Sequence, residues 1–257
     1  MHGAIMIFRR LIPLACIILP LLATPSRARA GGPEHAESDA RGTLDPALST
    51  ELESLDRKTA EIRDLTTDFE EQKFTTLLKK PLTSHGTLRI VGSHSRWDTI
   101  SPRPVSMIVD AAGIRMYYPQ RSTLEVYQLD EKLTWLAVSP LPKPAVWVDR
   151  FTIERIPVPD LGDVASAGAC LGLRLRPREE ALGKYLRHVD VVLNTTTAFM
   201  VRAAMVDADG DRTVVSFSNI RPNTGLEPKD LELTVPADTQ IVRPLAGFEK
   251  KAPGTSP

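Results

Sequence analysis

After its first 30 residues the chain holds four histidines, His35, His85, His94 and His188, and none stands in a zinc-binding spacing such as His-Glu-x-x-His. Asp207, Asp209 and Asp211 alternate as calcium ligands do. Gly210 interrupts them and no further ligand set follows, so the segment reads as a hairpin turn. Glu70 and Glu71 are adjacent on a candidate strand, where neighbouring side chains face opposite ways and cannot share a proton. There is no Gly-x-Ser-x-Gly elbow and no phosphate-binding glycine loop. Cys170 sits among small apolar residues, Ala-Gly-Ala-Cys-Leu-Gly, and reads as a buried thiol. The expectation is that the protein is not an enzyme and needs no metal or cofactor.

The remaining candidates for chemistry are apolar. Trp97, Met107, Met116, Tyr118, Val126, Trp135 and Trp147 fall on short strands or in an irregular loop. Together they suit the lining of a cavity for acyl chains. Methionine gives an adaptable wall and aromatics supply area, while a chain gains roughly 0.8 kcal/mol per buried methylene without polar precision. The competing reading is that each simply fills a packed core.

The elements that must position them are mostly strands. One long helix is expected from Leu44, Leu48, Leu52, Leu55, Ile62 and Leu65 at three-four spacing, with Asp45 as N-cap and Pro46 at the first helical position. From Leu65 the period becomes two. Strands are read at 65–70, 82–90, 95–99, 105–109, 114–118, 124–127, 151–156, 171–176, 186–193, 200–206, 212–220 and 230–235. They are short and mostly hairpin-linked, giving a mainly β (α+β) fold, an antiparallel sheet curled toward a barrel.

Between Lys132 and Arg150 the pattern fails. Pro140, Pro142 and Pro144 at alternate positions predict an extended path, with Leu133, Trp135, Leu136 and Val138 before it and Trp147-Val148 after it. Two tryptophans in such a loop call for a buried seat. It is either a fixed plug or a movable cover, and Leu136 and Val148 belong to it.

Export is the second expectation. Arg9-Arg10, the apolar run 11–23 and Ala28-Arg29-Ala30 form a signal peptide over 1–30, cleaved before Gly31, with retention as an anchor the alternative. Cys16 is poorly placed for lipidation. A polar segment over 31–43, one domain over 44–245 and a polar tail over 246–257 complete the plan. Without the leader's four arginines the chain carries 28 basic and 32 acidic residues, a net charge of −4, and shows no Lys/Arg cluster in sequence. Nucleic acid or an anionic membrane surface is not expected as main partner. Only Cys170 remains, so no internal disulfide forms.

The order helix, Phe69-Glu-Glu-Gln72-Lys73, Gly86-Thr-Leu88, Arg96-Trp97, Pro102 to Pro104, Met107-Ile-Val-Asp110 with Gly113, and Tyr117-Tyr118-Pro119 resembles the LolA-type outer-membrane lipoprotein carriers. Asp207-Ala-Asp-Gly210, the 213–217 strand with Asn219 and Asn223, and Leu231-Glu-Leu-Thr-Val-Pro236 extend the resemblance over roughly residues 44–244. It implies an incomplete β-barrel whose apolar concave face is covered by helices. It implies a monomeric periplasmic chaperone carrying acylated lipoproteins or lipid from an inner-membrane ABC transporter to an outer-membrane acceptor. Related readings are a carrier for another hydrophobic product and a lipid-sensing regulator. The family's arginine that latches the lid has no counterpart at Val91-Gly92-Ser93, and Arg96 is the substitute candidate.

Overall fold

The computed structural model describes residues 44–127, 139–159 and 168–244. Helix α1 (Pro46–Thr59) starts where the sequence places it, with the Asp45 carboxylate accepting from the Ala47 amide at 3.3 Å. It ends sooner than the apolar spacing suggests. Ile62 follows the helix and Leu65 already belongs to the first strand, because the switch to two-residue alternation begins at Asp64.

Twelve strands form a single sheet: β1 (Asp64–Phe74), β2 (Leu82–Val91), β3 (His94–Ser101), β4 (Val105–Asp110), β5 (Gly113–Tyr118), β6 (Thr123–Tyr127), β7 (Phe151–Ile156), β8 (Cys170–Pro177), β9 (Leu186–Asn194), β10 (Met200–Asp207), β11 (Arg212–Pro222) and β12 (Gln240–Val242). Their order is β12-β6-β5-β4-β3-β2-β1-β11-β10-β9-β8-β7, antiparallel except for the β12–β6 pair. β7 and β12 are the two ends and do not pair, so the curled sheet is an incomplete barrel. Among the described residues there are also two short helices, α2 (Pro144–Arg150) and α3 (Glu180–Gly183), and two 3-10 turns.

The core lies on the concave face. Leu48, Leu52 and Leu55 of α1 join Leu65, Phe69, Leu88 and Trp97 from the middle strands, and Leu173, Val191 and Val215 from the C-terminal ones. Two long side chains anchor α1 over the sheet's far end: Glu51 accepts from Arg155 at 2.5 Å, and the Lys58 ammonium donates to the Thr195 carbonyl at 2.7 Å. Gly86 stands opposite Phe69 on the neighbouring strand, and a Cβ there would lie 2.2 Å from the Asp98 carbonyl oxygen and 2.7 Å from the Phe69 ring. Only glycine lets Phe69 lie across the strand to meet Trp97 edge-on, ring centres 5.0 Å apart.

Three expectations about elements are corrected. Residues 230–235 are not a strand. Glu227 and Asp230 form a capping box with Pro228 at the first position, which favours the 3-10 turn Pro228–Leu231. The proline segment is extended only to Lys143; Pro144 opens α2 instead of forbidding it, since the first helical position needs no amide donor. Cys170 is half-buried at the start of β8, not fully enclosed, with its thiol 3.5 Å from the Gly168 carbonyl.

Candidate functional site

Five neighbouring strands, β2 to β6, form a row that holds three of the sequence-picked liners. Leu88 pairs with Trp97, Trp97 with Met107, Met107 with Met116, and Met116 with Glu125. Trp97, Met107 and Met116 are all buried, at 6%, 2% and 0% exposure. Tyr118 is half-buried on the same face, two positions along β5 from Met116. Val126 is not in this row. It pairs with Arg115 and so faces outward, while Glu125 and Tyr127 take the inner positions. The sequence alternation of β6 misleads here because the inward residue is a carboxylate.

Glu125 closes the row as a buried acid. The Tyr127 hydroxyl donates to it at 2.5 Å and the Tyr118 hydroxyl at 3.3 Å, and the Arg121 guanidinium stands 3.8 Å away. These partners satisfy the charge in an otherwise apolar wall, where an unpaired carboxylate would be very costly.

Open space lies in the other half of the concave face. A cavity of about 70 Å3 sits beneath α2 and the proline segment, bounded by Leu141, Trp147, Leu175, Val189, Met200, Ala203 and Met205 among others. Among the described residues picked from the sequence, Trp147 lines it. Pro140, Pro142 and Pro144 are buried, so their alternate spacing turns every proline toward the sheet. The Met200 amide donates to the Pro140 carbonyl at 2.8 Å, which fastens this cover to β10. Val148, one residue past Trp147, points outward at 40% exposure. Trp135 and Leu136 lie outside the described residues.

Arg96 occupies the convex face, opposite in parity to Trp97. Arg96 and Arg89 both donate to Asp98, at 3.0 and 2.6 Å, and the Ser106 hydroxyl donates to it at 2.6 Å. The same two guanidinium groups donate to the carbonyls of Glu232 and Asp230. What Arg96 fastens is therefore the C-terminal segment. Burial alone would raise the Asp98 carboxyl, but the hydrogen bonds from Ser106 and Arg89 and the charge of Arg96 outweigh it and hold the group below its ordinary value of 3.8.

Met200, Ala203 and Met205 are not legible as liners in the sequence because β10 carries a bulge between Met200 and Arg202. The inward positions run 200, 203, 205 and break a strict period of two. A surer signal is Leu171, Leu173 and Leu175, whose alternation marks the same wall. Among the described residues no three His, Cys, Asp or Glu side chains converge as metal ligands.

No protein-family pattern and no curated protein matches the chain. Solved structures do match. An uncharacterized conserved protein from Thermus thermophilus aligns over 77% of this chain and 99% of its own at 10% identity, with a TM-score of 0.49. A putative outer membrane lipoprotein-sorting protein domain from Vibrio parahaemolyticus aligns over 72% and 97% at 13% identity, with a TM-score of 0.39. For a LolA superfamily protein from Nitrosomonas europaea the coverage is 72% and 97%, the identity 9% and the TM-score 0.38. The chain's structural neighbours thus include LolA superfamily proteins, at low sequence identity.

Proposed function

We propose that the protein is a carrier that shelters acyl chains on the concave face of its open barrel, beneath α2 and the proline segment. The observation that carries this reading is the apolar cavity at Trp147, roofed by a short cover and walled by adaptable methionines. Its size matters. At about 70 Å3 it is smaller than the roughly 150 Å3 cavity that admits one benzene, so an acyl chain enters only if the cover lifts. A chain of fourteen carbons gains roughly 10 kcal/mol on burial. Exposing Trp147 and three prolines costs about 6 kcal/mol or more, at roughly 1.5–3 kcal/mol for each large side chain. The terms are of the same order, which suits loading followed by release.

In this reading the protein works as a monomer in the periplasm, takes the acyl chains of a lipoprotein or lipid from an inner-membrane transporter and yields them to an outer-membrane acceptor. It binds and releases without chemistry. The test is titration of the purified protein with an environment-sensitive fatty-acyl probe. Saturable binding that is lost in Ala203→Leu, which fills the cavity, supports the carrier. A probe that never saturates, or that binds the filled variant equally well, overturns it.

A further inference from the structure

The loop that joins β1 to β2 covers residues 75–81, longer than the roughly two to five residues of an ordinary hairpin. Thr75 closes its turn: the carbonyl accepts from the Leu78 amide at 3.2 Å and the hydroxyl from the Leu77 amide at 3.3 Å. Turn chemistry favours small or polar residues here, yet the outward end carries two leucines. Leu77 is 66% exposed, and Leu78 and Leu82 are nearly half exposed. Because β2 runs past its last pair with β3, at His85, back to Leu82, this tip projects from the sheet. Ile100, 64% exposed, stands at the same end. It is the extra residue of a bulge, since Thr99 pairs with Gly86 and Ser101 with His85.

Basic residues flank the apolar tip. Lys79 and Lys80 follow the two leucines, and Arg103 follows Ile100 in the β3–β4 loop; all three are exposed. Residues 73–82 and 100–104 contain four basic side chains and no acid. Acids on the adjoining elements are engaged or buried: Glu71 is 7% exposed, Glu70 faces His85 at 3.6 Å, and the Asp207 carboxylate accepts from the Asp209 and Asp211 amides within the β10–β11 turn. The tip also adjoins the concave cavity. Leu82 pairs with Lys73, Lys73 with Thr213 and Thr213 with Met205, one row across four strands. Met205 lines the cavity, so that edge of it lies roughly 14 Å, three strand spacings, from Leu82.

We propose that the β1–β2 tip docks on the surface of an anionic phospholipid bilayer, with Leu77, Leu78, Leu82 and Ile100 at the upper ends of the acyl chains and Lys79, Lys80 and Arg103 on the lipid phosphates. Exposed apolar side chains flanked by cations complement such a surface, whose hydrocarbon begins just beneath a layer of negative charge. The tip projects and offers no groove, which suits a fluid partner better than a shaped protein segment. The negative balance of the chain argues against a broad membrane-coating face, but the charge at the tip is local and positive. Docking there presents the Met205 edge of the cavity to the bilayer. The proposal goes beyond the carrier reading and does not depend on it.

The test is methyl-detected binding of the purified protein to nanodiscs of phosphatidylethanolamine and phosphatidylglycerol that carry a head-group spin label. The methyl signals of Leu77, Leu78, Leu82 and Ile100 should broaden while those of Leu173 and Val191 persist. Lys79→Glu with Lys80→Glu should weaken the binding by roughly tenfold or more, since each basic group near an anionic surface contributes about fivefold. Leu77→Ser with Leu78→Ser alters only exposed side chains. It should remove the broadening at Leu82 and leave binding of a soluble acyl probe unchanged, so that failure here is distinct from failure of the carrier reading. Tip signals that stay sharp, equal affinity for phosphatidylcholine discs, or unchanged affinity in both variants would overturn the proposal. Saturable binding of soluble polyglutamate as tight as that of the discs would overturn it in favour of an acidic protein partner.

Discussion

The amide of Met200 donates to the carbonyl of Pro140 at 2.8 Å, and through that bond a strand of the barrel holds the roof of its own cavity. The bond crosses between a regular ladder and an irregular segment, so its lifetime reports how firmly the cover is shut. In ligand-free protein the Met200 amide should exchange with solvent much faster than the Phe217 amide, which lies in the central β1–β11 pairing. An acyl ligand should slow it. Equal, strong protection at both amides with and without ligand would mean that the cover is a fixed plug.

Trp147 should separate retention from stability. Its side chain is 9% exposed and lines the cavity. Truncating a fully packed tryptophan costs about 3–5 kcal/mol. For Trp147→Ala we expect faster loss of bound acyl probe with a destabilisation of only about 1–2 kcal/mol, because the residue belongs to a part that opens. A full core-sized loss in denaturant unfolding, with retention unchanged, would contradict this.

Tyr127→Phe tests the buried acid at the end of the liner row. Removing the hydroxyl takes away the 2.5 Å donor to Glu125 and leaves that carboxylate less satisfied. The expected cost is about 1–3 kcal/mol in equilibrium unfolding. Replacing Glu125 by Gln in the same background should recover part of it, since the amide is neutral. No recovery would show that the cost lies in packing of the ring.

The Asp98 clasp gives a pH signature. Its folded carboxyl titrates below the ordinary value of 3.8, so the stabilisation is complete above that value. It is lost as pH falls from there through the lower folded value. Asp98→Asn should cost about 2 kcal/mol at neutral pH, in the range for hydrogen bonds to a charged group, and should flatten the acid limb of the stability curve below about pH 4. Proteolysis near Glu232 should also rise, because Arg89 and Arg96 then lose the anchor that orients them on the C-terminal segment. An unaltered acid limb would show that other carboxylates govern it.

The strand framework is readable in the sequence because most inward positions repeat at a period of two, as Leu171, Leu173 and Leu175 do. The helix over Pro46–Thr59 is readable from its apolar stripe and its cap. What escapes is tertiary. A bulge at Val201 moves Met205 to the parity that a uniform strand would deny it, and Glu125 takes an inward position that hydrophobicity assigns to Val126. Arg96 reads as a latch for the cover because it adjoins Trp97. On a strand adjacency means opposite faces, and the structure sends the two side chains to opposite sides of the sheet.

The central claim, that the concave face carries acyl chains, is tested most directly by native mass spectrometry of the protein isolated gently from its source cells. The carrier reading predicts a bound species whose mass fits an acylated lipoprotein or a lipid, released when Ala203→Leu fills the cavity. Protein that emerges ligand-free from cells rich in such cargo, or that holds only polar molecules, would contradict it.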